Sequence, residues 1–248
     1  MNKTFTIIIG FILSAGIASS QMDKSHYHEV ALNFLQIKEE LNYGMVFRGL
    51  GLGYAYSAQW QNDKNLFGYE ARFSFSVLDT RDILASSINV VPVRLDYLFK
   101  MGPEKAFSIG PYFTMEYNYE MYPDLQSGYS FWFTHYSLGG ALNYSFNTQK
   151  HHFDFIFHTT LLGITSRNPV YDDPYFFDLS LGYVLRFVHQ NFQFGTLNRY
   201  NQSELEIRWQ PKAISRLAFA YTFQYYGYFD EQKLNMLNQL VKLIILPK

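Results

Sequence analysis

The chain has 248 residues, a net charge of −1 with histidine counted as neutral, and no cysteine. A charge this close to zero gives no electrostatic reason to bind nucleic acid, and the lack of cysteine excludes disulfides, thiolate metal sites and a lipid anchor carried on cysteine. Phenylalanine and tyrosine are unusually frequent, at 24 and 21 residues, which is typical of β-strands and of the aromatic girdles of membrane barrels.

The first twenty residues have the pattern of a secretory signal peptide. Lys3 supplies the positive charge, residues 7–13 form an apolar run too short to span a bilayer as a helix, and Ala18 and Ser20 place small residues before Gln21. An uncleaved interfacial anchor is the alternative. We expect residues 21–248 to form one barrel domain, since no apolar run in them is long enough for a membrane helix.

From about residue 28 onward, apolar residues alternate with polar or small ones. In the stretch 67–77, Phe73 and Phe75 fall on one face and Glu70 and Arg72 on the other, because successive side chains of a strand point to opposite faces. A soluble, lipocalin-like barrel would enclose the charges and expose aromatic rings to water. A membrane barrel places the apolar face in lipid and the polar face in its lumen, so we favour the membrane barrel.

Turn residues divide the chain into about twelve predicted strands. They cover residues 27–38, 45–60, 67–78, 88–99, 107–120, 131–146, 153–165, 175–187, 191–198, 204–210, 217–228 and 234–246. The ninth and tenth alternate poorly, so ten strands is the alternative count. We therefore predict an all-β protein, a transmembrane antiparallel up-and-down β-barrel in the outer membrane, with membrane lipid as its partner and with no protein partner identified.

An even number of strands places both termini in the periplasm. The longer connections, 122–129 and 166–174, are then expected outside the cell. The tight turns at 147–150 and 189–190 are expected in the periplasm. The outer loops are too short to form a plug or a large receptor surface.

A family resemblance lies in the middle of the chain. Residues 88–100, with Pro92, Arg94 and Asp96, lead through a turn into a strand that contains Gly110, Pro111 and Tyr112. This pair of strands resembles the Bacteroidetes-type outer-membrane β-barrel family, which includes PorT-like proteins. The resemblance implies a fold and a location. It implies no activity, because the family is functionally mixed.

The polar faces of the predicted strands carry charges of both signs. We expect a structural charge network in the lumen, made of Glu70, Arg72, Arg94, Asp96, Glu116, Glu120, Asp154, Asp178, Arg186, Glu206 and Arg208. The same alternation also turns His158, Glu204 and Lys242 toward the lumen. Because an unpaired buried charge is costly, we expect Arg72 and Arg94 to pair with acids on neighbouring strands, such as Glu70, Asp96 or Glu116. A solute path or a proton-linked site is the alternative.

His135 and Ser137 are candidates for a hydrolase pair, since two residues of one strand face can place an imidazole beside a hydroxyl. The segment Thr134-His135-Tyr136-Ser137 resembles the core of outer-membrane phospholipase and of lipid A deacylase, which implies hydrolysis of phospholipid or lipid A. Those families have Asn after the Ser, where this chain has Leu138, and their nucleophile faces lipid. The alternation here turns His135 and Ser137 inward, so we predict no enzymatic activity and keep the hydrolase as the alternative.

His152, Asp154 and His158 share a face, which raises the question of a metal site. The four-residue step from Asp154 to His158 spans about 13 Å along a strand, too far for one ion to bind all three. We therefore expect no metal and no cofactor. The function predicted from the sequence is a structural or accessory membrane component, or a narrow pore, with a charged and packed lumen.

Overall fold

The computed structural model describes residues 23–102, 106–124, 129–167, 182, 188–214, 216–230 and 232–246. The predicted signal peptide lies outside these residues, and so do Asp178, Arg186 and, apart from Gly182, the predicted strand 175–187. No helix in the described part of the chain is long and apolar enough to cross a membrane.

Long strands make up almost all of the described chain. Their bounds are β1 (Asp23–Glu39), β2 (Val46–Gln61), β3 (Asn65–Thr80), β4 (Ile83–Met101), β5 (Phe107–Tyr122), β6 (Tyr129–Asn147), β7 (His151–Arg167), β8 (Gln193–Thr196), β9 (Tyr200–Pro211), β10 (Leu217–Tyr228) and β11 (Leu234–Ile245). A short 3-10 turn, Glu40–Asn42, lies between β1 and β2.

Ten of the described strands close an antiparallel ring. Each strand from β1 to β7 pairs with the next, β7 continues through β9 and β10 to β11, and β11 pairs back with β1. β8 pairs only with the stretch Leu162 to Thr165 of β7, beyond the part of β7 that pairs with β9. The up-and-down barrel is confirmed, and its ring has the alternative count of ten strands.

The two ends of the barrel differ in their connections. We call the end where β1 begins and β11 finishes the terminal end, and the other the loop end. The terminal end has the connections 62–64, 102–106, 148–150 and 212–216, and the loop end has 40–45, 81–82, 123–128, 168–192 and 229–233. The prediction of His189 and Gln190 as a turn at the terminal end is wrong, because Gln193 pairs with Thr165 near the loop end of β7.

Two bulges reverse the alternation and so keep polar residues inside. The pairing of β4 shifts by one residue between Val91 and Arg94 against β3, and between Val90 and Val93 against β5. Pro92, which has no N–H to donate to a ladder, lies in this bulge. Inward positions are therefore odd up to Val91 and even from Arg94 onward. In β7 the extra residue is Leu161, which has no partner in the register with β6.

The outer face of the ring is apolar and the inner face is charged. The exposed outward residues include Val30, Leu32, Phe34, Leu50, Leu52, Phe73, Phe75, Val77, Ile109, Leu162, Leu205, Phe219, Val241 and Leu243. Inside, Glu29, Arg94 and Lys242 are each 2% exposed. A soluble protein would have the opposite distribution. An apolar wall around a polar interior is the arrangement of a transmembrane β-barrel.

One part of the outer wall is covered by the chain itself. Residues 188–192 cross the outside of β5 and β6, where the His189 imidazole lies 3.1 Å from the Tyr117 hydroxyl and the Phe192 ring packs against Tyr136. Trp132 and Thr134 face outward as predicted from the alternation, but they are 2% and 0% exposed. They therefore contribute little to the lipid-facing surface.

The facing of β3 can be tested with two arginine substitutions on the same side of the strand. Phe73 lies outward in the middle of β3 and is 49% exposed. Phe73→Arg should lower the free energy of unfolding by about 2–4 kcal/mol, and Asp79→Arg, outward at the loop end, by about 0–1 kcal/mol, because the cost of arginine falls from the bilayer midplane to its interface. Urea titration of barrels refolded into lipid vesicles measures both losses. Equal losses would contradict the assigned facing.

Candidate functional site

The centre of the lumen is crossed by a bidentate ion pair. Arg94 of β4 donates from Nη1 and Nη2 to the two carboxylate oxygens of Glu204 of β9, each at 2.7 Å. Arg72 of β3 lies 3.6 Å from both Glu70 and Glu204, and Arg94 lies 3.7 Å from Glu70. Since β4 and β9 are separated by three strands of the ring, these contacts join facing walls.

The predicted pairing of Arg72 and Arg94 is therefore only partly right. Glu70 is in contact with both arginines, but the strongest partner is Glu204 on the facing wall rather than an acid on a neighbouring strand. Asp96 accepts from His158 instead, at 3.1 Å. The parity of a residue predicts that it faces the lumen, but it does not say which strands lie opposite each other once the ring closes.

A second cluster lies between β1, β9 and β11. Lys242 Nζ is 2.6 Å from Glu206 and 3.1 Å from Glu29, and Arg208 Nη2 is 2.9 Å from Glu206. The guanidinium of Arg208 also lies over the ring of Tyr27, 4.9 Å from its centroid. The predicted network did not include Glu29. The alternation of apolar and polar residues along β1 turns Glu29 inward and could have identified it.

The third cluster contains the candidate hydrolase histidine. His135 Nε2 lies 3.0 Å from Gln202 Oε1 and 3.3 Å from Glu116 Oε2. Glu116 also accepts from Tyr226 and, at 3.1 Å, from Gln202. The Nε2 atom of this imidazole is thus directed at a carboxylate and an amide oxygen inside the lumen.

His135 and Ser137 face the lumen, as the alternation predicts. Both are 0% exposed, so neither an acyl chain in the membrane nor a solute at the barrel ends can reach them. A serine nucleophile must contact the carbonyl carbon that it attacks. The arrangement therefore gives no access to substrate.

The loop end of the lumen is closed by an apolar cluster that we call the loop-end plug. Its buried members are Leu35, Ile37, Phe47, Leu78, Ala85, Tyr122, Phe131, Phe133, Tyr200, Tyr226, Tyr228, Leu234 and Met236. Leu41 and Met45, from the connection of β1 to β2, pack against it. Within the described residues, the loop end of the lumen is thus blocked by these packed side chains.

Charged side chains also lie at the loop-end plug. Arg167 of β7 pairs with Glu39 of β1, and its guanidinium lies 5.0 Å from the ring centroid of Tyr228. Glu120 of the predicted network accepts from Tyr122 at 2.5 Å. Glu39 and Arg167 were not predicted as site residues, since the predicted strands 27–38 and 153–165 both ended before them.

The terminal end of the lumen contains a small polar cavity. Its volume is about 50 Å³, and its lining includes Gln59, Gly68, Asp96, His158, Glu204 and Arg208. A space of this size holds roughly four water molecules and is too small for a solute path. At the rim, Asp154 pairs with His152 at 3.1 Å and accepts from Ser145 at 2.5 Å. The described residues contain no group of three or more His, Cys, Asp or Glu that could hold a metal ion.

The residues that carry the family resemblance have architectural roles. A Cβ on Gly110 would lie 1.9 Å from the carbonyl oxygen of Tyr97, so only glycine permits this approach of β5 to β4. Tyr112 is buried in the lumen, where its hydroxyl lies 2.9 Å from Thr160 Oγ1. The Pro92 bulge sets the facing of Arg94. These residues shape the wall and contact no open site.

Comparisons with known proteins add only general likenesses of shape. No protein-family model matches the chain, and no curated protein matches it in sequence. Among solved structures, it is similar to the translocator domain of the autotransporter NalP from Neisseria meningitidis, with a TM-score of 0.46, 9% identity, and coverage of 97% of this chain and 95% of that one. It is also similar to the outer membrane protease OmpT from Escherichia coli, with a TM-score of 0.46, 6% identity, and coverage of 92% and 97%.

A third similar structure is Neisserial surface protein A, with a TM-score of 0.34, 10% identity, and coverage of 90% of this chain and 98% of that one. At these identities and TM-scores none of the three bears on what this chain binds or does. The conclusions below rest on its own residues.

The bidentate pair should be far more important for stability than an ion pair at the surface. Arg94→Met should lower the free energy of unfolding by about 3–5 kcal/mol, because it leaves Glu204 buried without its main partner. Arg199→Met is the control: Arg199 pairs with Asp230 at 2.6 Å, but its side chain is 40% exposed, so the loss should be about 0–1 kcal/mol. Urea unfolding in vesicles measures both, and similar losses would count against the packed network.

Proposed function

We propose that this protein is an integral outer-membrane β-barrel with a closed lumen, acting as a structural or accessory component of the membrane. The observation that carries the proposal is the Arg94–Glu204 pair, which joins facing walls with two hydrogen bonds of 2.7 Å. Together with the loop-end plug, it leaves no described passage through the barrel. A transport protein would need a continuous polar path.

The outer membrane is supported by three features of the chain. The secretory signal pattern at the N-terminus directs export, the wall is apolar outside and charged inside, and β1 begins at the end where β11 finishes. In this orientation of the barrel, the termini and the connections 62–64 and 148–150 lie in the periplasm, and the connections 40–45 and 229–233 lie outside the cell. Short periplasmic turns and longer outer loops are usual for such barrels.

Membership of the Bacteroidetes-type, PorT-like family is a finer part of the proposal. Its support is the pair β4 and β5, in which the Pro92 bulge precedes Arg94, Gly110 closely approaches Tyr97 of β4, and Tyr112 pairs with Asp96. These residues shape the barrel wall and pack in the lumen, and we assign them no catalytic role. They agree with a role for the barrel as a scaffold for lipid and protein neighbours, without a cofactor.

Conductance across a planar bilayer tests the closed lumen. The unmodified protein should show no steady conductance, because both the Arg94–Glu204 pair and the plug obstruct the lumen. The double variant Arg94→Ala/Tyr122→Ala removes one side chain from each obstruction and should show a leak. A wide, steady channel in the unmodified protein would refute the proposal.

An assay of lipid hydrolysis tests the absence of enzymatic activity. Purified protein in micelles should hydrolyse neither phospholipid nor lipid A, with or without calcium, since Ser137 is fully enclosed. Ser137→Ala should change only stability, by about 1 kcal/mol. Ser145→Ala, which alters an inward serine of the same strand that donates to Asp154, is the control. Turnover that is lost in Ser137→Ala and kept in Ser145→Ala would establish the hydrolase instead.

A further inference from the structure

Two basic residues are diagonal neighbours on adjacent strands of the outer wall near the loop end. Lys38 of β1 and Arg48 of β2 face outward and are exposed, and Val46 and Gln36 are their cross-strand partners. Neither forms an ion pair within the described chain. The nearest outward acid is Asp79, the cross-strand partner of Arg48 on β3, and no salt bridge joins the two.

The guanidinium of Arg48 is held in place from one side. Its Nε donates to Gln36 Oε1 at 2.8 Å, which orients the group along the wall. The two terminal nitrogens have no partner among the described residues. A planar guanidinium fixed in this way presents parallel donors to a phosphate or carboxylate, and phosphate is recognised in this bidentate manner.

The position of the pair indicates what kind of molecule carries the anion. Toward the terminal end, Gln36 and then Phe34 follow Lys38 on the outward face of β1, and Leu50 follows Arg48 on β2. Phe34 and Leu50 are 43% and 54% exposed. The basic groups therefore lie where the apolar wall stops, which is the level of lipid headgroups in a membrane barrel. On the other side of Lys38, Asn235 of β11 adds an amide at the same edge.

We propose that Lys38 and Arg48 bind the phosphate of a lipid headgroup in the leaflet at the loop end. This inference rests on the proposed membrane function. The acyl chains of that lipid lie along Phe34, Leu50 and Leu52, and the phosphate accepts from the two terminal nitrogens of Arg48 and from Lys38 Nζ. The site takes a phosphate-bearing lipid rather than a free anion, because the apolar wall below it holds the chains.

The test is the retention of phosphatidic acid by the barrel. The protein is refolded into phosphatidylcholine vesicles with and without phosphatidic acid and is then extracted into mild detergent. Native mass spectrometry measures how much phosphatidic acid stays bound to the protein. Lys38→Gln and Arg48→Gln should each reduce retained phosphatidic acid about fivefold, since one basic residue at a membrane surface contributes about 1 kcal/mol and 1.4 kcal/mol is tenfold. Arg48→Lys keeps the positive charge but loses the bidentate guanidinium, and it should reduce the retention of phosphatidic acid less than Arg48→Gln.

Two control variants and one competitor complete the experiment. Lys24→Gln and Lys64→Gln remove exposed basic residues at the terminal end and should leave retention unchanged. Inorganic phosphate added to the detergent should not displace the lipid.

Equal retention by the unmodified protein and the Lys38→Gln/Arg48→Gln double variant would overturn the inference, and so would displacement by inorganic phosphate. Insertion into pure phosphatidylcholine vesicles separates the two proposals: a barrel that inserts but has no preference for phosphatidic acid refutes the lipid site alone, and one that never inserts refutes the membrane function.

Discussion

The pairing of charges across the lumen is the constraint on which the rest of this structure depends. Lipid on the outside requires an apolar outer face, so the ionised side chains in the middle of the described strands, such as Glu29, Arg94 and Lys242, are turned inward. Inside the lumen, each of these charges needs a partner of opposite charge, because an unpaired buried charge strongly destabilises a fold. Arg94, Glu204 and Arg72 meet this demand by linking walls that are far apart along the chain. The same contacts close the interior to solutes.

The two halves of the lumen surround their buried charges with different kinds of side chain. Toward the loop end, aromatic rings fill the space and enclose the ion pair of Glu39 and Arg167. Toward the terminal end, His158, Asp96 and Arg208 surround a cavity that has room for water. Among the described residues, the space for water next to the central ion pairs therefore lies on the terminal side, and the loop-end side is packed with side chains.

Much of the fold follows from the period-two alternation, and the reasons for the misses are physical. The inward facing of Glu70, Arg72 and Glu116 is a local property of each strand. The Arg94–Glu204 pair is not local, since it depends on where the ring closes. The strand count of ten depends on β7 pairing with β9, which no local pattern specifies. The predicted ninth strand, residues 191–198, alternates poorly, and β8 within it pairs with β7 beyond the stretch of β7 that pairs with β9.

Closure of the ring by its first and last strands has a consequence for how the protein folds. β1 pairs with β11 over twelve positions, from His28 with Ile245 to Glu39 with Leu234, so the residues that meet are separated by almost the full length of the chain. Contacts this distant in sequence form slowly. Until the last strand has emerged from synthesis and paired, β1 keeps an open edge that can join other chains. Chaperones that hold the unpaired strands apart during transit would therefore protect this protein most before β11 has paired with β1.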